Sequence, residues 1–267
     1  MARSADVGSQ GGHVIQASGL DFYYQAHGEG HPLLLLHAGS LTGDMWQPYL
    51  AGFARRFRVI APDLPNHGRS GKPERPLSYR QLADEIVAFI RALELPRPVI
   101  VGFSDGGQVA LEIGIRYPDL PHSIAMGGVV FKDSEPYRAF VRSALGDAES
   151  RNVDPAHLAR NHPDWAAWLD HIYGSGSWKP LLEQLKPMWT TPLMYTAEDF
   201  AEVVAPALVF VGDRDELVLV EQAAEMYRQL PKAELAVVPD ADHGAFFSAK
   251  VASFQAIILD FLQRHNT

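Results

Sequence analysis

The sequence predicts an α/β fold: a mostly parallel, eight-stranded sheet flanked by helices and interrupted once by a helical insertion. Three observations predict it. Over the first half of the chain, apolar runs of strand length alternate with longer amphipathic segments, the pattern of strands and crossover helices. That alternation stops near Val130 and resumes near Ala207. The stretch between carries helical patches broken at Gly174-Ser175-Gly176 and at several prolines, and a segment that long inside a compact domain is expected to cover something.

Residues 13–17 and 20–26, divided by Ser18-Gly19, read as an antiparallel hairpin. Compact apolar runs at 32–36, 58–61, 98–102 and 123–130 have the length of buried parallel strands. Residues 79–93 place Leu82, Ile86, Phe89, Ile90 and Leu93 on one helical face, and Pro96 and Pro98 end that segment. Residues 106–117 behave likewise and are closed by Pro118. After the insertion come a strand at 207–211, a helix at 221–230, a strand at 234–238 and an amphipathic helix at 251–262. The chain thus divides into a polar, Gly- and Ser-rich arm at 1–12, expected to be disordered, a core at 13–132 and 205–267, and a helical insertion at 133–204.

Composition narrows the function. A chain of 267 residues, 47% of them apolar, can bury one substantial core. With no cysteine there are no disulfides, thiolate nucleophiles or Cys-ligated zinc, which fits a reducing compartment. No signal or transit peptide is apparent at the N-terminus and no apolar run approaches a membrane span, so a soluble, cytoplasmic protein is expected. A net charge of −9, spread along the chain, disfavours nucleic acid as a partner.

The chemistry centres on Gly102-Phe103-Ser104-Asp105-Gly106, a Gly-x-Ser-x-Gly between an expected strand and an expected helix. Such a turn holds the serine in a strained conformation that only close neighbours without side chains permit. The free N–H groups at the start of the following helix favour negative charge beside Ser104, which makes the Asp105 N–H a natural oxyanion donor. The competing reading is an ordinary strand-to-helix turn capped by Ser104 or Asp105. Serine also needs a base, and the base an orienting acid. Gly212-Asp213-Arg214-Asp215 and Asp240-Ala241-Asp242-His243 both follow expected strands, at the carboxyl edge where open α/β sheets gather active-site residues. Asp213, Asp215, Asp240 and Asp242 are all candidates for the acid, and Asp133, after the sixth strand, is a less usual one. The histidines at 157, 162 and 171 lack a metal-binding spacing, and neither metal nor cofactor is expected.

With these motifs in place the chain resembles the α/β-hydrolase superfamily over nearly its whole length, in the group with a helical lid after the sixth strand. That group includes esterases, perhydrolases, carbon–carbon hydrolases and valacyclovir-hydrolase-like enzymes, and Ser104-Asp105-Gly106-Gly107 is most similar to the last. The resemblance implies the chain order serine, acid, histidine, and so Ser104 as nucleophile, His243 as base and Asp215 as acid through the frame Gly212-x-x-Asp215-x-x-Val218. His37-Ala38-Gly39-Ser40 looks like the His-Gly oxyanion loop, with Ala38 where Gly is usual. The implied oxyanion donors are the N–H groups of Gly39 and Asp105, and His37 is structural. Asp63-Leu64-Pro65-Asn66-His67-Gly68-Arg69-Ser70 is similar to a scaffold loop of the family, with Asn66 in place of a glycine that Asn can replace at positive φ.

Four of the five tryptophans lie in the insertion, enough to roof an apolar pocket. Ser40, Phe103, Trp165 and Trp189 are the residues expected to touch substrate. The expected reaction is hydrolysis of a carboxylic ester with a small to medium apolar acyl or aryl part, through an acyl-enzyme. The same triad could serve perhydrolysis, carbon–carbon hydrolysis or lyase chemistry, and a ligand receptor on the same scaffold is the reading from another class. The expected partner is a small-molecule ester, with a homodimer as the assembly allowed for.

Overall fold

The computed structural model describes residues 12–147, 150–191 and 193–265. β1 (Gly12–Ala17) and β2 (Leu20–His27) pair antiparallel, with His13 opposite Tyr24 and Ala17 opposite Leu20. Ser18 and Gly19 both take positive φ, 52° and 78°, the two-residue turn whose twist matches a hairpin. Of the arm expected at 1–12, residues 1–11 lie outside the described residues, and Gly12 opens β1.

β3 (His31–Leu36) leads through a short 3₁₀ turn into α1 (Gln47–Phe53), then β4 (Phe57–Pro62), α2 (Tyr79–Ala92), β5 (Val99–Phe103), α3 (Asp105–Arg116) and β6 (Ile124–Gly127). Five helices follow before the sheet resumes: α4 (Glu135–Leu145), α5 (Pro155–Asn161), α6 (Pro163–Tyr173), α7 (Lys179–Thr190) and α8 (Ala197–Ala201). β7 (Ala207–Gly212), α9 (Val220–Gln229), β8 (Ala233–Val238) and α10 (Val251–His265) complete the chain. The eight strands form one sheet in the order β1-β2-β4-β3-β5-β6-β7-β8. From β4 to β8 every pairing is parallel, and β2 joins antiparallel at β4. This is the mostly parallel eight-stranded α/β architecture that the sequence predicts.

Strand parity builds two cores, one on each face. Leu34, Leu36, Ile100, Ile124, Met126 and Val209 pack beneath α2, α3 and the insertion. Their neighbours Leu33, Leu35, Val99, Val101, Ala125 and Leu208 face α1 and α10. Both sets are buried, as period-two alternation demands of a strand covered on both sides.

Three details depart from the expected elements. The sixth strand ends at Gly127 rather than at 130, because Gly128 turns the chain away at φ 58°. α1 was not among the expected helices; it is short and contains both Pro48 and Gly52, yet it buries Tyr49, Leu50 and Phe53. The prolines of the insertion mostly open helices rather than break them, standing at the first or second position of α4, α5, α6 and α7, where no N–H is required. Lys186 of α7 is buried and donates to the carbonyls of Leu145 (2.7 Å) and Asn152 (3.3 Å), tying α7 to the end of α4 and the segment before α5. No helix among the described residues is long and apolar enough to cross a membrane.

α1 is fastened to the segment that follows β8 by one buried bond, Tyr49 Oη donating to the Phe246 carbonyl at 2.6 Å. Tyr49→Phe leaves that carbonyl without its partner and is expected to destabilise the fold by about 1–3 kcal/mol, read as a lower urea midpoint at unchanged slope.

Candidate active site

β5 delivers Ser104 to the carboxyl edge of the sheet. Its backbone lies at φ 54°, ψ −121°, a strained region for a residue with a side chain. The surroundings enforce that conformation. A Cβ on Gly102 would strike the Gly106 carbonyl, and one on Gly106 would strike the Leu36 carbonyl, so the turn closes only with glycine at both positions. The Ser104 N–H is held by the Gly127 carbonyl at 2.8 Å, and α3 starts at the next residue.

β7 and β8 deliver Asp215 and His243 to the same edge. His243 Nδ1 bonds to Asp215 Oδ2 at 2.8 Å. The other carboxylate oxygen, Oδ1, accepts from the N–H groups of Leu217 and Val218, both at 2.9 Å, so Asp215 is locked in place. The imidazole lies against Phe103, the residue before Ser104, with ring centroids 4.9 Å apart. It also closes on Gly128, where a Cβ would come within 2.8 Å of His243 Cε1. The imidazole is thereby held beside the serine turn, and among the described residues its Nε2 has no hydrogen-bond partner. Among the described residues Ser104 Oγ makes no hydrogen bond within 3.5 Å. Burial lowers the His243 pKa, but the charge and hydrogen bond of Asp215, with Glu216 and Asp105 behind it, outweigh burial and raise it above 6.5.

The rival carboxylates have other partners. Asp213 accepts from the Ala241 N–H at 3.3 Å, Asp242 caps the turn at Ala245 at 2.7 Å, Asp240 faces Lys250 at 3.2 Å and Asp133 pairs with Arg138.

The loop after β3 is braced from below. His37 is fully buried, with Nδ1 on the Ala38 carbonyl (2.8 Å) and Nε2 accepting from the Leu64 N–H (2.8 Å), which fixes one neutral tautomer. Asp63 accepts from the N–H groups of Gly43 (2.8 Å) and Arg69 (2.9 Å) and from the Arg69 guanidinium. Asn66 takes φ 68°, as its short side chain allows. Among the described residues neither the Gly39 nor the Asp105 amide finds an internal acceptor, and both border the serine turn.

Two residues expected to touch substrate are committed elsewhere. Phe103 is 2% exposed and stacks on Phe246 with centroids 4.0 Å apart, because strand parity turns it to the α10 face with Val99 and Val101. It supports the His243 ring rather than lining a pocket. Ser40 is fully buried at φ 62°, and its Oγ accepts from Trp165 Nε1 at 3.2 Å, joining the insertion to the loop after β3. Trp165 and Trp189 are half-buried and lie 6.2 Å apart by ring centroids.

Sequence reasoning missed the side chain of Asp105. It is 7% exposed, with Oδ1 accepting from Tyr79 Oη at 2.8 Å and Oδ2 from Trp189 Nε1 at 2.8 Å. Burial raises its carboxyl to about 6, against the pull of Trp189, Tyr79 and His243. A carboxylate within the serine turn was the one available signal, since both donors are remote in sequence. Trp189 also lines a cavity of about 210 Å³ with Val130, Tyr137, Val141, Met188 and Leu193, and Arg138 and Arg142 reach it.

The model of the alpha/beta hydrolase family matches residues 33–254. The chain is 28% identical over 234 residues to 2-(acetamidomethylene)succinate hydrolase of Mesorhizobium japonicum, covering 81% of this chain and 82% of that one. Among solved structures it is similar to a thermophilic esterase from Thermogutta terrifontis (TM-score 0.78, 24% identity, 96% of this chain and 100% of that one). A variant of the meta-cleavage product hydrolase from Pseudomonas fluorescens aligns with TM-score 0.77 at 22% identity, over 95% and 98% of the two chains.

The raised His243 pKa gives a direct check. Its imidazole is expected to titrate above 6.5 by NMR, and Asp215→Asn to bring it down toward or below that value. The stability contributed by the imidazolium–Asp215 pair is full below pH 6.5 and lost as pH rises through the folded value, the same range in which the neutral base appears.

Proposed function

The chain belongs to the α/β-hydrolase family of hydrolases, and from that membership and the geometry of its site we propose that it is a serine hydrolase cleaving a carboxylic ester through an acyl-enzyme. The observation that carries this reading is the Asp215–His243 bond of 2.8 Å, which fixes the imidazole beside the strained Ser104 turn with Nε2 unused. Ser104 Oγ attacks the ester carbonyl while His243 accepts its proton, and Asp215 stabilises the imidazolium that forms. The Gly39 and Asp105 N–H groups, both without internal acceptors among the described residues, hold the oxyanion. The imidazolium returns its proton to the leaving alkoxide, and water, activated by His243 in turn, releases the acid.

The choice of an apolar ester over an anionic substrate rests on charge. The Mesorhizobium relative is named for a succinate derivative. The cavity on the far side of Trp189 from the oxyanion loop would take only an extension of the substrate, and the two guanidiniums that reach it are already paired, Arg138 with Asp133 and Glu135 and Arg142 with Glu135, while Val130, Val141, Met188 and Leu193 offer apolar wall. The helices α4–α8 serve as a lid in this reading.

A fluorophosphonate probe is expected to modify Ser104, mapped by peptide mass spectrometry, and p-nitrophenyl esters of graded chain length to be turned over. Ser104→Ala and His243→Ala should each lower kcat by about 10³-fold or more. Labelling of a different serine would overturn the assignment. In wild type, kcat/KM should rise with pH through a midpoint above 6.5, because the base must be neutral.

A further inference from the structure

Asp105 is a buried carboxylate that the reaction does not consume. Its backbone N–H serves the oxyanion, yet its side chain is held by two donors from distant elements, Tyr79 of α2 and Trp189 of α7. Tyr79 comes from the core and Trp189 from the insertion, so the carboxylate joins the two across the serine turn. The indole is also pressed against the loop after β3: a Cβ on Gly39 would meet Trp189 Cζ2 at 2.7 Å and clash with Asp105 Oδ2. The same side chain forms part of the wall of the 210 Å³ cavity. Trp189 therefore stands between the oxyanion loop and that cavity, and Asp105 accepts its only N–H.

We propose that the Asp105 carboxylate is a positioning group: by holding the Trp189 indole it fastens the lid to the nucleophile turn and keeps Trp189 as the partition between the oxyanion loop and the cavity beneath α4 and α7. An indole N–H only donates, and the Tyr79 hydroxyl also donates here, so both require an acceptor between them. A carboxylate satisfies both at once. An asparagine would turn its NH₂ toward one of the two donors and lose that bond.

The groups facing Asp105 are Tyr79 from α2, Tyr137 from α4, Trp189 from α7 and His243 from the segment after β8, and none of them is a permanent cation. Burial without a cationic partner raises the carboxyl to about 6. A raised carboxyl contributes its stability below about pH 3.8 and loses it as pH rises through about 6, so near neutrality the ionised latch is kept at a cost to the global fold. Protonation removes acceptor capacity from one oxygen and loosens the hold on Trp189 as pH falls through the same value. The latch thus trades global stability for a fixed lid, and that trade separates it from a purely structural bond.

The experiment is ¹⁵N–¹H spectroscopy of the full chain, with the Trp189 indole resonance identified by its disappearance in Trp189→Phe. In wild type that resonance is expected to titrate with a midpoint near 6, to keep titrating in His243→Gln with the midpoint moved upward as the imidazole's pull is removed, and to lose the titration in Asp105→Asn. Amide exchange in α7 is expected to quicken about tenfold in both Trp189→Phe and Asp105→Asn, with α9 unchanged. The melting temperature of wild type should fall relative to that of Asp105→Asn as pH rises from 5 to 7.5, on top of a pH-independent offset from the hydrogen bond that asparagine loses. An indole resonance indifferent to pH between 5 and 8, or α7 exchange unchanged in both variants, overturns the proposal. It rests on the serine-hydrolase reading only in calling that turn the nucleophile's, and no readout requires turnover, so an inactive wild type would sink the reaction and not the latch.

Discussion

Everything at the carboxyl edge of the sheet depends on how closely α3 approaches β3. Gly106 is pressed against the Leu36 carbonyl and Gly102 against the Gly106 carbonyl, and between them Ser104 is forced to φ 54°. Relaxing that angle would lift the start of α3 off the sheet and withdraw the packing of Val109, Ala110 and Ile113, all fully buried. The strain is thus held by core packing rather than by any bond that the serine side chain makes. Among the described residues the Asp105 amide at the start of α3 and the Gly39 amide find no internal acceptor.

Two carboxylates flank this turn with opposite surroundings. Asp215 is braced by two backbone amides and an imidazole. Asp105 meets two neutral donors in a buried pocket, and burial dominates it. One holds the His243 ring, and the other bridges core and insertion. The aromatic group of Phe103, Phe246, Phe247 and Trp168 adds a second link, running from the serine turn through the segment that bears His243 to α6.

Much of this was legible in the sequence where the constraint is local. Gly102-x-Ser104-x-Gly106 reads as a strained turn because glycine and serine spacing encode it. Ser18-Gly19 gave the hairpin by the same logic. Position after a strand, by contrast, left Asp213, Asp215, Asp240 and Asp242 all open, and only the resemblance to the family frame singled out Asp215. The side Phe103 faces was not legible, since β5 is apolar on both faces and its alternation carries no polar marker. The carboxylate contacts of Asp105 join residues 26 and 84 positions away, beyond any periodicity. In the insertion the prolines pointed to breaks, whereas position within the first helical turn makes them starters.

β6 and β7 are direct neighbours, with Ile124 paired to Ala207 and Gly127 to Phe210. The whole excursion from α4 to α8 therefore departs from and rejoins adjoining strands, so its two stems are close together whatever lies between. Such a segment can be exchanged for a longer, shorter or differently shaped one without shifting the ladder that aligns Ser104 and Asp215. What such an exchange must re-form are the side-chain bonds between insertion and core, among them Trp165 to Ser40, Tyr173 to Leu41, Tyr195 to Glu112 and Trp189 to Asp105.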